Sequence, residues 1–219
     1  MIVAIDGPAG SGKGTVTKII AERMGLINLD TGATYRCVAT AVLDNNLTLN
    51  DEEEIINLLD DINIEFKKDE GKEKVFLNDV DVTERIRSKE VSQIVSQVSS
   101  IIPVRLKLSD LQRKMAEGKD VIMEGRDIGT YVFPNAEVKI YLDADVEERA
   151  RRRFKENKEK GIDMTYEEVL ENIKIRDAND KSKKIGALKV ADDAVIVDTT
   201  SKTIEEVVNE IERIIKEKV

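Results

Sequence analysis

Four short, largely apolar runs stand out along the chain: Ile2 to Ile5, Val121 to Met123, Val138 to Leu142 (interrupted by Lys139) and Val195 to Val197. Runs without polar alternation read as strands buried on both faces, as in a parallel sheet. Each ends in or just before an acid: Asp6, Glu124, Asp143 and Asp198. Helical spacing lies between and after them. Val16, Ile19, Ile20 and Met24 share one face of a helix expected over Lys13 to Met24, with Gly25 as its stop. A last helix is expected over Ile204 to Lys218. Thr203 and Glu206 have capping-box spacing, and Ile204, Val207, Val208, Ile211, Ile214 and Ile215 form one apolar stripe. Residues 62–83 break the pattern. Ile62, Ile64 and Phe66 alternate with polar positions, the charged run KKDEGKEK reads as a turn, and Val75-Phe76-Leu77 precedes the turn pair Asn78-Asp79 and then Val80 and Val82. That predicts a small antiparallel meander set into the alternation. Strands alternating with helices predict an open α/β sheet whose ligands sit at the carboxyl ends of the strands.

Composition narrows the function. A chain of 219 residues suits one globular core with small lobes. With 35 basic and 44 acidic residues the net charge is −9, which argues against a nucleic-acid binder. The absence of His removes imidazole bases, imidazole metal ligands and Ser-His-Asp triads. The single Cys37 lies in an apolar helical pattern and is expected in the core, which suits a reducing compartment. No apolar run approaches the ~20 residues of a membrane span, and the start MIVAIDG has no basic segment of a signal peptide. A cytoplasmic protein without membrane attachment is the expectation.

The stretch GPAGSGKGT, residues 7–15, carries the chemistry. It follows an apolar strand and opens a helix, the context of a phosphate-binding loop. The alternative, an incidental glycine-rich turn, lacks that context. The expected ATP-binding residues are Gly7, Pro8, Ala9, Gly10, Ser11, Gly12, Lys13, Gly14 and Thr15. Backbone N–H groups would cradle phosphate oxygens, and Lys13 would add charge at the β- and γ-phosphates. The loop departs from G-x-x-x-x-G-K-[ST] at Gly14, where a magnesium-holding hydroxyl is usual. Thr15 lies about 100° further round the helix and cannot replace it. Magnesium is therefore expected on ATP phosphates and water, with Glu124 nearby, and Gly14 is expected to leave bare backbone for the approach of a second substrate.

The loop's form, G-x-x-G-x-G-K-G-T, resembles that of nucleoside monophosphate kinases. Further stretches are similar to the cytidylate kinase family: Asp30-Thr31-Gly32-Ala33-Thr34-Tyr35-Arg36, Glu124-Gly125-Arg126-Asp127-Ile128-Gly129-Thr130, Val132-Phe133-Pro134, Ser96-Gln97-Val98, Val104-Arg105 and Arg176-Asp177-x-x-Asp180-x-Ser182. The meander resembles the extra β-lobe of the bacterial members. The resemblance implies an α/β P-loop kinase with a parallel core sheet flanked by helices. It implies a core of residues 1–30, 101–146 and 164–219, an acceptor lobe of 31–100 with a β insert at about 62–83, and a helical lid of 147–163. The implied reaction moves the γ-phosphate of ATP, with Mg2+, to CMP or dCMP. Lys13, Arg126 and Arg176 would be catalytic. Thr31, Arg36 and Arg126 would hold the acceptor phosphate; Ser96, Arg105 and Asp127 would read cytosine; Arg176 and Asp180 would hold the ribose.

Bottom-up, Arg36, Arg105, Arg126 and Arg176 suit an anionic pocket, since guanidinium forks bind phosphate in a bidentate way. Each alone could equally serve surface solubility. Arg149, Arg152 and Arg153 share a helix face. They read either as a lid over ATP, with Arg149 and Arg153 among its contacts, or as a solvated helix paired with Glu147, Glu148 and Glu156. The run Lys155 to Lys160 reads as a solvated face. Two positions depart from the family: Lys183 stands where an Arg is usual at the acceptor phosphate, and Ala187 where a Pro is usual. No dimerisation seam is visible, so a monomer is expected. The rival readings are a kinase for UMP or another small acceptor, and a regulatory nucleotide-binding module without transfer activity.

Overall fold

A computed structural model describes residues 1–69 and 72–219. In chain order the elements are β1 (Ile2–Asp6), α1 (Lys13–Met24), β2 (Ile27–Asp30), α2 (Thr31–Asp44), α3 (Glu52–Leu58), β3 (Ile64–Asp69), β4 (Lys72–Leu77), β5 (Val80–Asp81), α4 (Lys89–Val98) and α5 (Ile102–Ala116). Then come β6 (Val121–Gly125), a wide turn over Ile128–Val132, β7 (Val138–Asp143), α6 (Val146–Glu159), α7 (Tyr166–Ser182), β8 (Val195–Asp198) and α8 (Ile204–Lys218). The chain divides into two compact units, one of Met1–Asp30 with Met115–Val219, the other of Thr31–Lys114.

The first unit holds a five-stranded parallel sheet in the order β2-β6-β1-β7-β8. From β1 the chain builds outward to β6 and β2 on one side and to β7 and β8 on the other. The order reverses at β1, and the crevice beyond its carboxyl end is where ligands of such sheets bind. Successive side chains of a strand face opposite ways. Val3 and Ile5 pack with Val16 and Ile20 of α1 and with Val207, Val208, Ile211 and Ile215 of α8. Ala4 packs the other way, with Leu29, Met123, Ile128 and Val132. Each fully buried Ile or Val of these layers contributes roughly 1.5–3 kcal/mol. The expected capping box of α8 is present: Thr203 Oγ1 accepts the Glu206 N–H at 3.2 Å, and Glu206 accepts the Thr203 N–H at 2.8 Å.

Two strand readings change. The run 195–197 is not buried on both faces, because β8 is the edge strand and Ile196 is 59% exposed. β2 escaped the apolar pattern: Ile27-Asn28-Leu29-Asp30 alternates at the opposite edge, with Ile27 also exposed.

The second unit holds the meander β3-β4-β5. The strands run further than expected, to Asp69 and from Lys72, so most of the charged run is strand rather than turn. Its middle, Glu70 and Gly71, lies outside the described residues. Asn78 and Asp79 both take positive φ, 49° and 64°, and turn β4 into β5 as a two-residue hairpin requires. α2 packs against α4, with Cys37, Val38 and Ala41 buried on one and Val91, Val95 and Val98 on the other. Ser88 caps α4 by accepting the Val91 N–H.

Candidate active site

β1 delivers the chain into the glycine loop, and the first turn of α1 takes it out. Gly7 is required by a close approach: a Cβ there would stand 2.1 Å from the carbonyl oxygen of Leu142, at the end of β7. The loop closes on itself through Lys13. Its side chain is buried, and Nζ donates to the carbonyls of Gly7 at 2.8 Å and Pro8 at 2.7 Å, and to Ser11 Oγ at 3.3 Å. Ser11 Oγ donates to Pro8 O at 3.0 Å. Burial pushes the Lys13 ammonium down to about 7, Arg126 and Arg176 push the same way, and Glu124 and Asp6 oppose. Thr15 is exposed.

At Gly14 the neighbour is the expected acid Glu124. A Cβ there would lie 2.8 Å from Oε1 of Glu124, the fourth residue of β6. The missing side chain admits this carboxylate beside the first turn of α1.

The loop after β6 gathers three expected residues and one unexpected one. Arg126 donates from Nε to Asp180 Oδ2 at 2.8 Å. Asp127 is buried, and its carbonyl accepts the N–H groups of Tyr131 at 2.8 Å and Val132 at 3.1 Å, which shapes the wide turn. Asp6, the last residue of β1, is buried against that turn and accepts the N–H of Ile128 at Oδ1 (2.8 Å) and of Gly129 at Oδ2 (2.7 Å). Burial pushes its carboxyl up to about 6, against the two amides, which favour the ionised form.

α7 and its C-cap supply a charged ridge, Arg176, Asp177 and Asp180 on the helix and Lys183 just after it. Asp180 lies between two cations, with Lys183 Nζ at 2.9 Å from Oδ1 and Arg126 Nε at 2.8 Å from Oδ2. Burial alone would raise its carboxyl, but Arg126, Lys183 and Arg176 outweigh burial and hold it well below the usual carboxylate range. Arg176 lies within α7, and its field reaches Lys13 and Asp180. Leu188 N–H bonds to the Asp180 carbonyl at 2.8 Å, fixing the loop that contains Ala187.

The arginines of α6 divide. Arg149 is buried: Nη1 lies 2.7 Å from Asp177 Oδ2 and donates to the Ala9 carbonyl of the glycine loop at 3.1 Å, while Nε donates to Ala144 O at 2.9 Å. Arg152 bonds Thr199 and Glu148, Arg151 bonds Glu148 and Arg153 bonds Glu156. Those three follow the solvated, paired reading more closely. Arg149 instead ties α6 and α7 to the loop.

In the second unit, Thr31 opens α2 and is buried, and its carbonyl accepts Thr34 Oγ1 at 2.7 Å. Arg36 lies one turn further along α2. Arg105 of α5 is buried, donates from Nη1 to Ser99 O at 3.0 Å, and lies 5.3 Å over the ring of Tyr35. Ser96 Oγ, on α4, is buried with no hydrogen-bond partner. A buried hydroxyl of that kind suits a polar ligand.

The family model described as cytidylate kinase matches residues 3–217. The chain belongs to the cytidylate kinase family. A cytidylate kinase of Caldicellulosiruptor bescii is 49% identical over 209 residues, 95% of this chain and 92% of that protein. One of Lactobacillus johnsonii is 50% identical over 218 residues, 100% of this chain and 95% of that protein. Among solved structures, the shikimate kinase of Bacteroides thetaiotaomicron shares the fold, with a TM-score of 0.50 at 12% identity over 99% of this chain and 98% of that one. No described helix is long and apolar enough to cross a membrane.

For a cytidylate kinase family member, the donor set bears on magnesium. Among the described residues no group of three acids or other ligands gathers. Glu124 stands against the first turn of α1 and its field reaches Lys13. One carboxylate of this kind fits an ion held mainly by substrate phosphates and water, the usual manner of Mg2+. Sequence reasoning missed Asp6, Asp177 and Thr199. Asp6 had a signal, an acid directly after a buried strand and directly before the glycine loop, and so did Asp177, inside the stretch Arg176-Asp177-x-x-Asp180-x-Ser182; Thr199 had none.

Proposed function

We propose that this chain transfers the γ-phosphoryl group of ATP to CMP or dCMP, giving ADP and CDP or dCDP. The observation that carries the reading is a family match over nearly the whole chain, on a fold that sets Lys13 within the fields of Arg126, Arg176 and Glu124. A phosphate oxygen of the acceptor attacks the γ-phosphorus, the bond to the β–γ bridging oxygen breaks, and ADP leaves with that electron pair. An ionised phosphate is already a nucleophile, so a chain without His needs no imidazole base. Catalysis then rests on positioning and charge. The glycine loop, residues 7–15, holds the donor phosphates through its amides and Lys13. Arg126 and Arg176 balance charge on the transferring group. Thr31, Arg36 and Lys183 are the proposed acceptor-phosphate contacts. Ser96, Arg105 and Asp127 read the base, and Asp180 with Arg176 holds the ribose. An ionised Asp127 can accept a bond from the N4 amino group of cytosine but would repel O4 of uracil. Glu124 would hold Mg2+ through water, and the ion would supply charge neutralisation on the donor phosphates. Residues 147–163 form the lid, with Arg153 at the nucleotide and Arg149 bracing the loop from behind. Lid closure excludes water and suppresses hydrolysis of ATP. The protein acts in the cytoplasm as a monomer.

A coupled assay of ADP release across CMP, dCMP, UMP, AMP and GMP tests the reading. Turnover is expected with CMP and dCMP, and UMP should be disfavoured roughly ten- to several hundred-fold, the effect of one unpaired buried contact. Preference for another acceptor, or turnover with none, would overturn it.

A further inference from the structure

Asp6 has no place in the proposed chemistry, yet it is a buried acid at the switch point of the sheet. It ends β1 and directly precedes Gly7, the first residue of the glycine loop. Its two carboxylate oxygens are each occupied by a different backbone amide, Ile128 N–H at 2.8 Å and Gly129 N–H at 2.7 Å. Both amides belong to the turn that follows Arg126 and Asp127, and this turn is otherwise closed by bonds to its own carbonyls, Tyr131 and Val132 N–H to Asp127 O and Phe133 N–H to Ile128 O. Gly129 lacks a Cβ where one would stand 3.4 Å from Asp6 Oδ2 and 3.2 Å from the Lys139 side chain, so the carboxylate and the turn meet at close range. The charged and titratable groups around Asp6 are Asp127 of the turn, Lys13 of α1, and Tyr141 and Lys139 of β7.

We infer that Asp6 is a positioning residue for the acceptor: its carboxylate clamps the Ile128 and Gly129 amides and so fixes Arg126 and Asp127 relative to the glycine loop that begins at the next residue. This rests on the proposed roles of Arg126 and Asp127. The geometry explains why a charge is kept in a buried place. An ionised carboxylate accepts at both oxygens, whereas an Asn amide would turn a donor toward one of the two N–H groups. Asp6→Asn therefore keeps the shape, removes the buried charge and opposes one of the two bonds. Asp6→Glu keeps the charge, but the added methylene prevents both amides from being met.

The test combines amide exchange with kinetics at pH 7.5. In the ligand-free wild type, the Ile128 and Gly129 amides should exchange slowly. In each of Asp6→Asn and Asp6→Glu at least one of the two should exchange at least tenfold faster while the core strand amides stay protected. For the same variants kcat/KM for CMP should fall about ten- to a hundredfold, the scale of one lost bond to a charged group. The KM for ATP should change less than threefold, and the CMP to UMP preference should narrow. A purely structural role would lower the active fraction and leave both KM values and the preference unchanged, and that result would overturn the inference. So would unchanged exchange at Ile128 and Gly129 in both variants. Wild-type protein with no turnover on CMP would remove the proposed function, while the exchange rates would still decide whether Asp6 holds the turn.

Discussion

Gly14 shows how one missing side chain can serve an acid on another element. The sequence suggested that glycine here leaves room for a second substrate. In the structure the space is taken by Glu124, whose Oε1 lies 2.8 Å from where a Cβ would be. The obstructing atom is the end of a flexible side chain, so Gly14→Ser can fold by displacing it. Ser is also a better helix former than Gly, by a few tenths of a kcal/mol. The expected result is a melting temperature within a few degrees of wild type, weaker apparent affinity for Mg2+ in the transfer assay, and lower activity. Gly14→Ser protein with full activity and tighter Mg2+ dependence would show that Glu124 need not occupy that place. Lys13 belongs to the same argument. It was legible as a phosphate lysine from its spacing alone, but its burial and its three bonds within the loop depend on how the loop closes.

At the level of elements, α7 organises the charged ridge. Asp180 is the anion between Arg126 on the loop after β6 and Lys183 at the end of its own helix. Its side chain is 5% exposed and that of Lys183 is 6%. Removing one partner from a buried ionic group leaves uncompensated charge, which typically costs about 3–5 kcal/mol. Asp180→Ala should therefore lose stability on that scale by denaturant titration, and a change under about 1 kcal/mol would mean that water already screens the group. The i, i+3 spacing of Asp180 and Lys183 was visible in the sequence, and helix geometry makes such pairs neighbours. The contact of Arg149 with Asp177 was not, because the two sit on separate helices whose apolar faces, Ala150 and Phe154 on one and Val169 and Ile173 on the other, pack together. The same division runs through the fold. β1, β6 and β7 were legible because burial on both faces leaves short apolar runs, broken only by Lys139 in β7. β2 was not, because an edge strand of four residues alternates too briefly to show. The partners of Asp6 were illegible for a third reason: they are backbone amides, which carry no residue signature.

Across the whole molecule the chain is acidic, −9 overall, yet its first unit buries the cation Lys13 close to the acid Asp6, and burial shifts both toward their neutral forms, Asp6 up to about 6 and Lys13 down to about 7. This sets the shape of the stability profile of the ligand-free protein. Asp6 is raised from 3.8 to about 6. Between those values the folded state binds more protons than the unfolded, so stability falls as pH rises through that window, and the full cost is present above it. Lys13 is lowered from 10.5 to about 7. Between those values the unfolded state binds more protons, so stability rises with pH there, and the full cost is present below about 7. Both costs are complete only between about pH 6 and 7, where the two groups together should produce a local minimum. Net charge also changes with pH and tilts any single curve, so the comparison is between proteins. The melting temperature of Lys13→Met minus that of wild type should be greatest below pH 7 and should shrink steadily toward pH 10.5. At pH 6.5 Lys13→Met should melt higher by at least about 2–4 °C, equivalent to ~1 kcal/mol for a chain of this size, although its transfer rate should fall on the order of 10²–10³. The difference for Asp6→Asn should instead grow from pH 3.8 to 6 and then level off. Stability gained at the expense of activity is the mark of a charge kept for function. A Lys13→Met difference that stays flat from pH 6 to 10 would mean the ammonium titrates at its ordinary value and that the loop carbonyls already offset its burial.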